Sequence, residues 1–191
     1  MNTPNREHYV DKLLVDRVLR GDTQAFGIII QNTQCLVAQI VHRMIRGAED
    51  RKDIAQDVYL RAFHKLGSFK FEARLSTWIG QIAYNSCLSW LDKKKNADIR
   101  EAVFHRSAGA FQDETEKQFS QKELSSILKT EVGNLPPLYQ LLITLFHHEM
   151  LSYVEMGQIT GLPEGTLKSY LFRARKQLKE NLLSKYKKEA L

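Results

Sequence analysis

Apolar residues recur at helical spacing through most of the chain. From Thr23 to about Ile45 they fall at Phe26, Ile29, Ile30, Leu36, Val37, Ile40, Val41 and Met44. That stripe predicts one long amphipathic helix. Gly21-Asp22 ends a shorter helix over about Tyr9 to Arg20 and caps the long one, and Gly47 is a plausible stop. A third helix is expected from about Glu49 to Leu66, with Ile54, Val58, Ala62 and Leu66 on one face. The loop FKFEARL follows Gly67-Ser68. Ser76 can then cap a fourth helix reaching about Lys94, with Trp78, Ile79, Ile82, Ala83, Leu88 and Leu91 as its buried face. Four such helices make one small domain, roughly residues 1–95.

The pattern then breaks. Residues 96–131 carry mixed charge, and apolar positions thin out around SAGAFQDETEKQ. They read as a flexible linker with a helical end near Lys122 to Val132. Asn134-Leu-Pro-Pro starts a new helix, since proline suits a first turn, and Leu138, Leu141, Leu142, Leu145 and Phe146 supply its apolar face. The expected fold is all-α: two small helical domains joined by a flexible linker, the second over residues 132–191.

The last stretch is the most informative. Ser152 is followed three residues later by Glu155, a capping box, with Val154, Met156 and Ile159 expected to face inward. Gly161 suits a left-handed helix end, and Pro163 starts the next helix. Leu167, Leu171, Ala174, Leu178 and Leu182 form its buried stripe. Two short helices with a tight turn and a basic second helix make a helix-turn-helix, which places that helix in the DNA major groove.

Charge sharpens this. Between Gly161 and Lys188 eight Lys or Arg stand against two acidic residues, Glu164 and Glu180, a net of +6 equal to that of the whole chain. The positive excess sits on the reading element. Glu164, Thr166, Lys168 and Ser169, near the helix start, are candidates for base reading. Arg173, Arg175, Lys176 and Lys179 lie further along and suit phosphates. Upstream, Phe69, Lys70, Phe71, Arg74, Trp78 and Tyr84 interleave rings with cations, the arrangement that holds single-stranded nucleic acid. Trp78 serves equally well as a core anchor. Asp53, Gln56, Asp57 and Arg61 alone read as a solvated helix face.

Other chemistry is set aside. Cys35 and Cys87 form no disulfide framework or metal-binding pair. His147-His148-Glu149 lacks the spacing of a zinc motif. No metal, cofactor or enzymatic activity is expected. No apolar run has the length of a membrane span, and the N-terminal stretch has no signal-peptide core. A cytoplasmic protein is expected.

Four motifs together resemble the extracytoplasmic-function sigma factors, the small two-domain members of the bacterial sigma-70 family. They are GDTQAF at 21–26, DIAQDVYLRAF at 53–63, LSTWIGQIAYN at 75–85 and LSYVEMGQITGLPEGTLKSYLFRARKQL at 151–178. The resemblance implies a protein that binds core RNA polymerase, directs it to promoter DNA and helps open the duplex. It implies that Asp53, Gln56, Asp57 and Leu60 dock on the polymerase. Phe69, Lys70, Phe71, Arg74, Thr77, Trp78 and Asn85 would open and read the minus-ten element. Glu164, Gly165, Thr166, Lys168, Ser169, Phe172, Arg173, Arg175 and Lys176 would read the minus-thirty-five element. An anti-sigma factor is an implied partner. The chain departs from the family pattern at Phe71 and Arg74, where small residues are common, and at Tyr170, where a basic one is. A free-standing helix-turn-helix regulator that never touches polymerase is the alternative, and a protein-interaction adaptor a third.

Overall fold

The computed structural model describes residues 3–101 and 121–186, with side chains described over 8–94 and 124–185. The stretch SAGAFQDETEKQ, read as linker, lies outside them. The described residues are helical and contain no strand. α1 spans Thr3–Leu19, α2 Thr23–Met44 and α3 Ala48–Lys65, and a short 3-10 turn, Leu66–Ser68, follows. α4 covers Leu75–Glu101, α5 Gln121–Gly133, α6 Pro137–His147, α7 Tyr153–Thr160 and α8 Glu164–Tyr186.

α2 is the central helix of the first half. Ile29, Leu36, Val37, Ile40 and Val41 are buried along it, facing Ile54, Val58 and Ala62 of α3 and Ile79, Ala83 and Cys87 of α4. Its start is capped by Asp22, which accepts from the Ala25 amide at 3.1 Å and pairs with Arg17 at 2.7 Å. At its other end the Ile45 carbonyl accepts from Arg51 Nε at 2.6 Å. One polar link crosses this core: Thr33 Oγ1 lies 3.1 Å from the Tyr59 hydroxyl while donating to the Ile29 carbonyl.

Three sequence expectations fail at α4. Ser76 lies inside the first turn and is not the cap. The orphan amide of Leu75 is instead satisfied by Asp11 of α1, whose carboxylate accepts from it at 2.9 Å. Leu88 and Leu91, expected inside, are 38% and 37% exposed. The helix also runs past Lys94 to Glu101, into residues read as linker. In the same way α1 begins at Thr3 rather than near Tyr9.

In the second half the local signals hold. Pro137 opens α6, and its residues Leu141 to Leu145 are all buried. The Ser152–Glu155 capping box forms in both directions, and Gly161 adopts φ 73° at the α7 end. Met156, Ile159, Leu167, Leu171 and Ala174 are buried, but Val154, expected inward, is 64% exposed.

The two halves share one apolar core. α7 lies on α4 and α6 on α2. Gly80 makes this possible: a Cβ there would meet Ile159 Cδ1 at 3.1 Å and Leu36 Cδ2 at 3.3 Å. Across the same seam Arg74 and Glu155 form an ion pair at 3.4 Å.

Asp11 acts as an N-cap donated from another helix. Asp11→Ala should lower stability by about 1 kcal/mol, the usual cost of a lost cap. Urea denaturation of the full chain measures it. An unchanged midpoint would show that water replaces the carboxylate without loss.

Candidate nucleic-acid interface

Three surfaces can be built from these elements. The first is the outer face of α3. Asp53, Gln56 and Leu60 are exposed and follow one another at steps of three and four, so they share a stripe. Asp57 is half-buried and pairs with Arg61 at 2.6 Å. Leu60 is 61% exposed, and Phe63 beside it 44%. The Phe63 ring stacks edge-on against Phe26 of α2, with centroids 5.0 Å apart. Apolar side chains held this way among carboxylates and amides suit contact with another macromolecule. Phe63 escaped the sequence reading. Its spacing of three from Leu60 was the available signal.

The second surface is a cavity of about 270 Å³ between the 69–74 loop and the start of α4. Phe69, Lys70, Thr77, Trp78 and Gln81 line it, and Gln158 of α7 closes one side. Thr77 sits at 1% exposure, and its buried hydroxyl has no partner among the described residues. Such a group is poised to bond whatever fills the space. Thr77, Gln81 and Asn85 follow one face of α4 at steps of four, but Asn85 lies beyond the cavity lining. Gln81 was not foreseen, although that spacing was readable.

The aromatic loop behaves differently from its sequence reading. Phe69, expected to face nucleic acid, is only 7% exposed. It packs against Phe71 at 4.6 Å and Trp78 at 5.1 Å between centroids. It is therefore a buried support for the cavity wall rather than a free stacking platform. Phe71 and Trp78 keep partial exposure, and Lys70 is fully outside. Phe71 has φ 58°, a left-handed conformation that glycine adopts without cost. Arg74 is turned to the α7 seam by Glu155.

The third surface is α8. Glu164, Gly165, Lys168, Ser169, Phe172, Arg173, Arg175, Lys176 and Lys179 are all exposed, and Thr166 is partly so. Several are held in place. Lys168 pairs with Glu164 at 2.6 Å, which raises its affinity for a proton, and lies 5.5 Å above the Tyr153 ring. Arg175 donates from Nε to His147 Nε2 at 3.2 Å and lies 5.1 Å over the Phe146 ring. Lys176 reaches Glu180 at 3.9 Å. Phe172 is 68% exposed, an apolar group able to meet a thymine methyl. Tyr170 instead turns inward and meets Tyr139 at 6.0 Å, which accounts for a ring where a cation is common.

Residues 29–97 match sigma-70 region 2, and residues 125–178 match sigma-70, region 4. The chain is 31% identical to the ECF RNA polymerase sigma-E factor of Escherichia coli K12, over 90% of its own length and 94% of that protein's. Its identity to the sigma-E factor of Haemophilus influenzae is 29%, over 92% and 97%. The chain is an ECF sigma factor of the sigma-70 family.

The fold agrees. The sigma factor RpoE of Bartonella quintana, solved with the anti-sigma factor NepR, superposes with a TM-score of 0.65 at 21% identity, over 84% of this chain and 98% of that one. CnrH, solved with the cytosolic domain of CnrY, gives 0.63 at 21%, over 92% and 99%. Region 2 takes in the α3 face and the base-sized cavity, and region 4 takes in the α8 face. Among the described residues no histidine, cysteine and carboxylate group could hold a metal, and no helix is long and apolar enough to cross a membrane. His148 is engaged by Glu149 at 2.9 Å.

His147 gives the sigma factor a pH dependence. Burial first, then the Arg175 charge, hold its imidazole below the usual range. The unfolded ring takes a proton more readily, so acid favours unfolding. This contribution is intact above about pH 6.5 and is lost as pH falls through and below that value. His147→Gln should therefore lose less stability than the parent between about pH 7.5 and 5.5. Equal losses in urea titrations would exclude His147 as the group responsible.

Proposed function

We propose that this sigma factor is the promoter-specificity subunit of a bacterial RNA polymerase. It binds the core enzyme, places it on chosen promoters and helps open the strands, while the polymerase performs the chemistry. The observation that carries this reading is two different nucleic-acid surfaces on one chain. A free-standing regulator needs only a helix for the major groove. The cavity at Thr77 and Trp78 is too small for a duplex and suits one extruded base.

Residues 1–95 take the downstream role. Asp53, Gln56, Asp57 and Leu60, joined by Phe63, form the polymerase-docking face. Lys70 and Arg74 track the backbone, Phe71 and Trp78 offer ring surface, and Thr77 and Gln81 bond the flipped base. Residues 132–191 anchor upstream: Lys168, Ser169 and Phe172 read base edges, and Arg173, Arg175 and Lys176 grip phosphates. Residues 96–131 connect the two. The protein works in the cytoplasm, and an anti-sigma factor covering the α3 face or α8 would hold it inactive.

The packed arrangement is not the promoter-bound one. Elements centred ten and thirty-five bases before the start lie about 25 base pairs apart, roughly 85 Å along straight duplex at about 3.4 Å per step. The described helices are short on that scale, since α4, the longest at 27 residues, spans about 40 Å. Both elements can be held together only after α7 leaves α4. That departure also removes Gln158 from the cavity and frees Arg74 from Glu155.

Two outcomes follow. Core polymerase plus this protein should give run-off transcripts from a cognate promoter. Leu60→Asp should weaken co-elution with core tenfold or more, as loss of a central apolar contact costs about 2 kcal/mol. Transcription without any physical association would sink the docking assignment. Separately, Gly80→Leu should expand the free protein in small-angle scattering, because the side chain cannot fit against Ile159. An unaltered radius of gyration would mean that Gly80 does not govern the seam.

A further inference from the structure

A second cavity, of about 490 Å³, lies along α2 and α3, and Lys129 of α5 reaches its edge. Its polar lining is mostly basic: His42 and Arg43 from α2, Arg51 and Lys52 from α3 and Lys129 from α5. Gln39 is the remaining polar side chain, Ala38, Val41 and Ala55 form the rest of the lining, and among the described residues no carboxylate lines the cavity.

The cations are not neutralised from within the site. Arg43 Nε is buried and has no hydrogen-bond partner among the described residues. Arg51 spends Nε on the Ile45 carbonyl. Lys52 meets Glu49 at 2.9 Å, but both side chains are more than two-thirds exposed, and such a pair is easily exchanged. The nearby Asp50 is turned towards Lys94, 4.0 Å away. Mutual repulsion is felt at His42, which is held below its usual range by burial and then by Arg51, Arg43 and Lys129. Four permanent cations around a ligand-sized cavity, with a buried guanidinium donor unused, have the charge and the donors to bind an anion.

We propose that this cleft binds a small oligophosphate, either free or as the phosphate chain of a nucleotide. The volume takes several phosphate groups, and forked guanidinium donors match phosphate oxygens. Lys129 belongs to the second half of the chain and the other cations to the first. A bound oligophosphate would therefore grip both halves and favour the packed arrangement over the open one. The site does not depend on the promoter reading, since none of its residues belongs to the three surfaces assigned above.

Calorimetric titration of the full chain with sodium tripolyphosphate, and separately with ATP, both without magnesium, tests this. Saturable binding of both is expected. Tighter binding of ATP would add a nucleoside contact, whereas equal binding would limit recognition to the phosphates. Lys129→Glu and Lys52→Glu alter exposed side chains that folding does not need, and each should weaken binding about fivefold or more. Lys12→Glu, the same charge change on α1 outside the lining, should weaken it less than about twofold. No saturable binding of tripolyphosphate overturns the proposal. So does equal weakening by Lys12→Glu and Lys129→Glu, which would mean only diffuse attraction to a basic protein.

Discussion

The arrangement of this molecule turns on one missing side chain. At Gly80 the α4 backbone lies bare, and Ile159 of α7 and Leu36 of α2 close over it. α4 therefore carries three functions on three faces. Ile79, Ala83 and Cys87 hold it in the first core. Thr77 and Gln81 edge the base-sized cavity. Gly80 receives the first helix of the helix-turn-helix. Any larger residue there would push against a filled interior, and interiors accommodate poorly. One position thus decides whether the two halves share a core or stand apart.

Among the described residues each helix was legible in the sequence, because helical periodicity is local. The cap at Asp22, the Ser152–Glu155 box and the Gly161 turn were legible for the same reason: each is made within a few residues. What escaped was non-local. Ser76 had the right chemistry for a cap, yet Asp11 took the role from 64 residues away. Leu88 and Leu91 lie beside the packed face of α4, which at that level carries Cys87 and Trp90 instead. Phe69 was legible as part of an aromatic and basic loop, but not as its buried support between Phe71 and Trp78. A linker composition between two domains gave no hint that they would pack, since Gly80, Ile159 and Leu36 lie far apart in sequence.

The reading helix has its cations ordered in advance. Long side chains on a free helix lose rotamer freedom when they bind, a cost borne at the moment of contact. Here Lys168 is tethered between Glu164 and the Tyr153 ring, and Arg175 between His147 and the Phe146 ring. The ordering is set largely by neighbouring helices, α6 and α7, rather than by α8 alone. In the proposed promoter complex, base readout by Lys168 would need Glu164 to yield or to share a base pair, whereas Arg175 would meet a phosphate while keeping its ring support. The two cations are thus prepared for different tasks, one exchangeable and one fixed.

The Asp11 carboxylate also imposes an order in time. It is made first, on the earliest helix, and the Leu75 amide it serves emerges much later. Closing so long a loop is slow compared with winding either helix. The 69–74 loop, which runs directly into Leu75, is anchored only after the chain has come back on itself to meet α1. The 69–74 loop is thus tied to the start of the chain, and its integrity reports on whether α1 has been correctly placed.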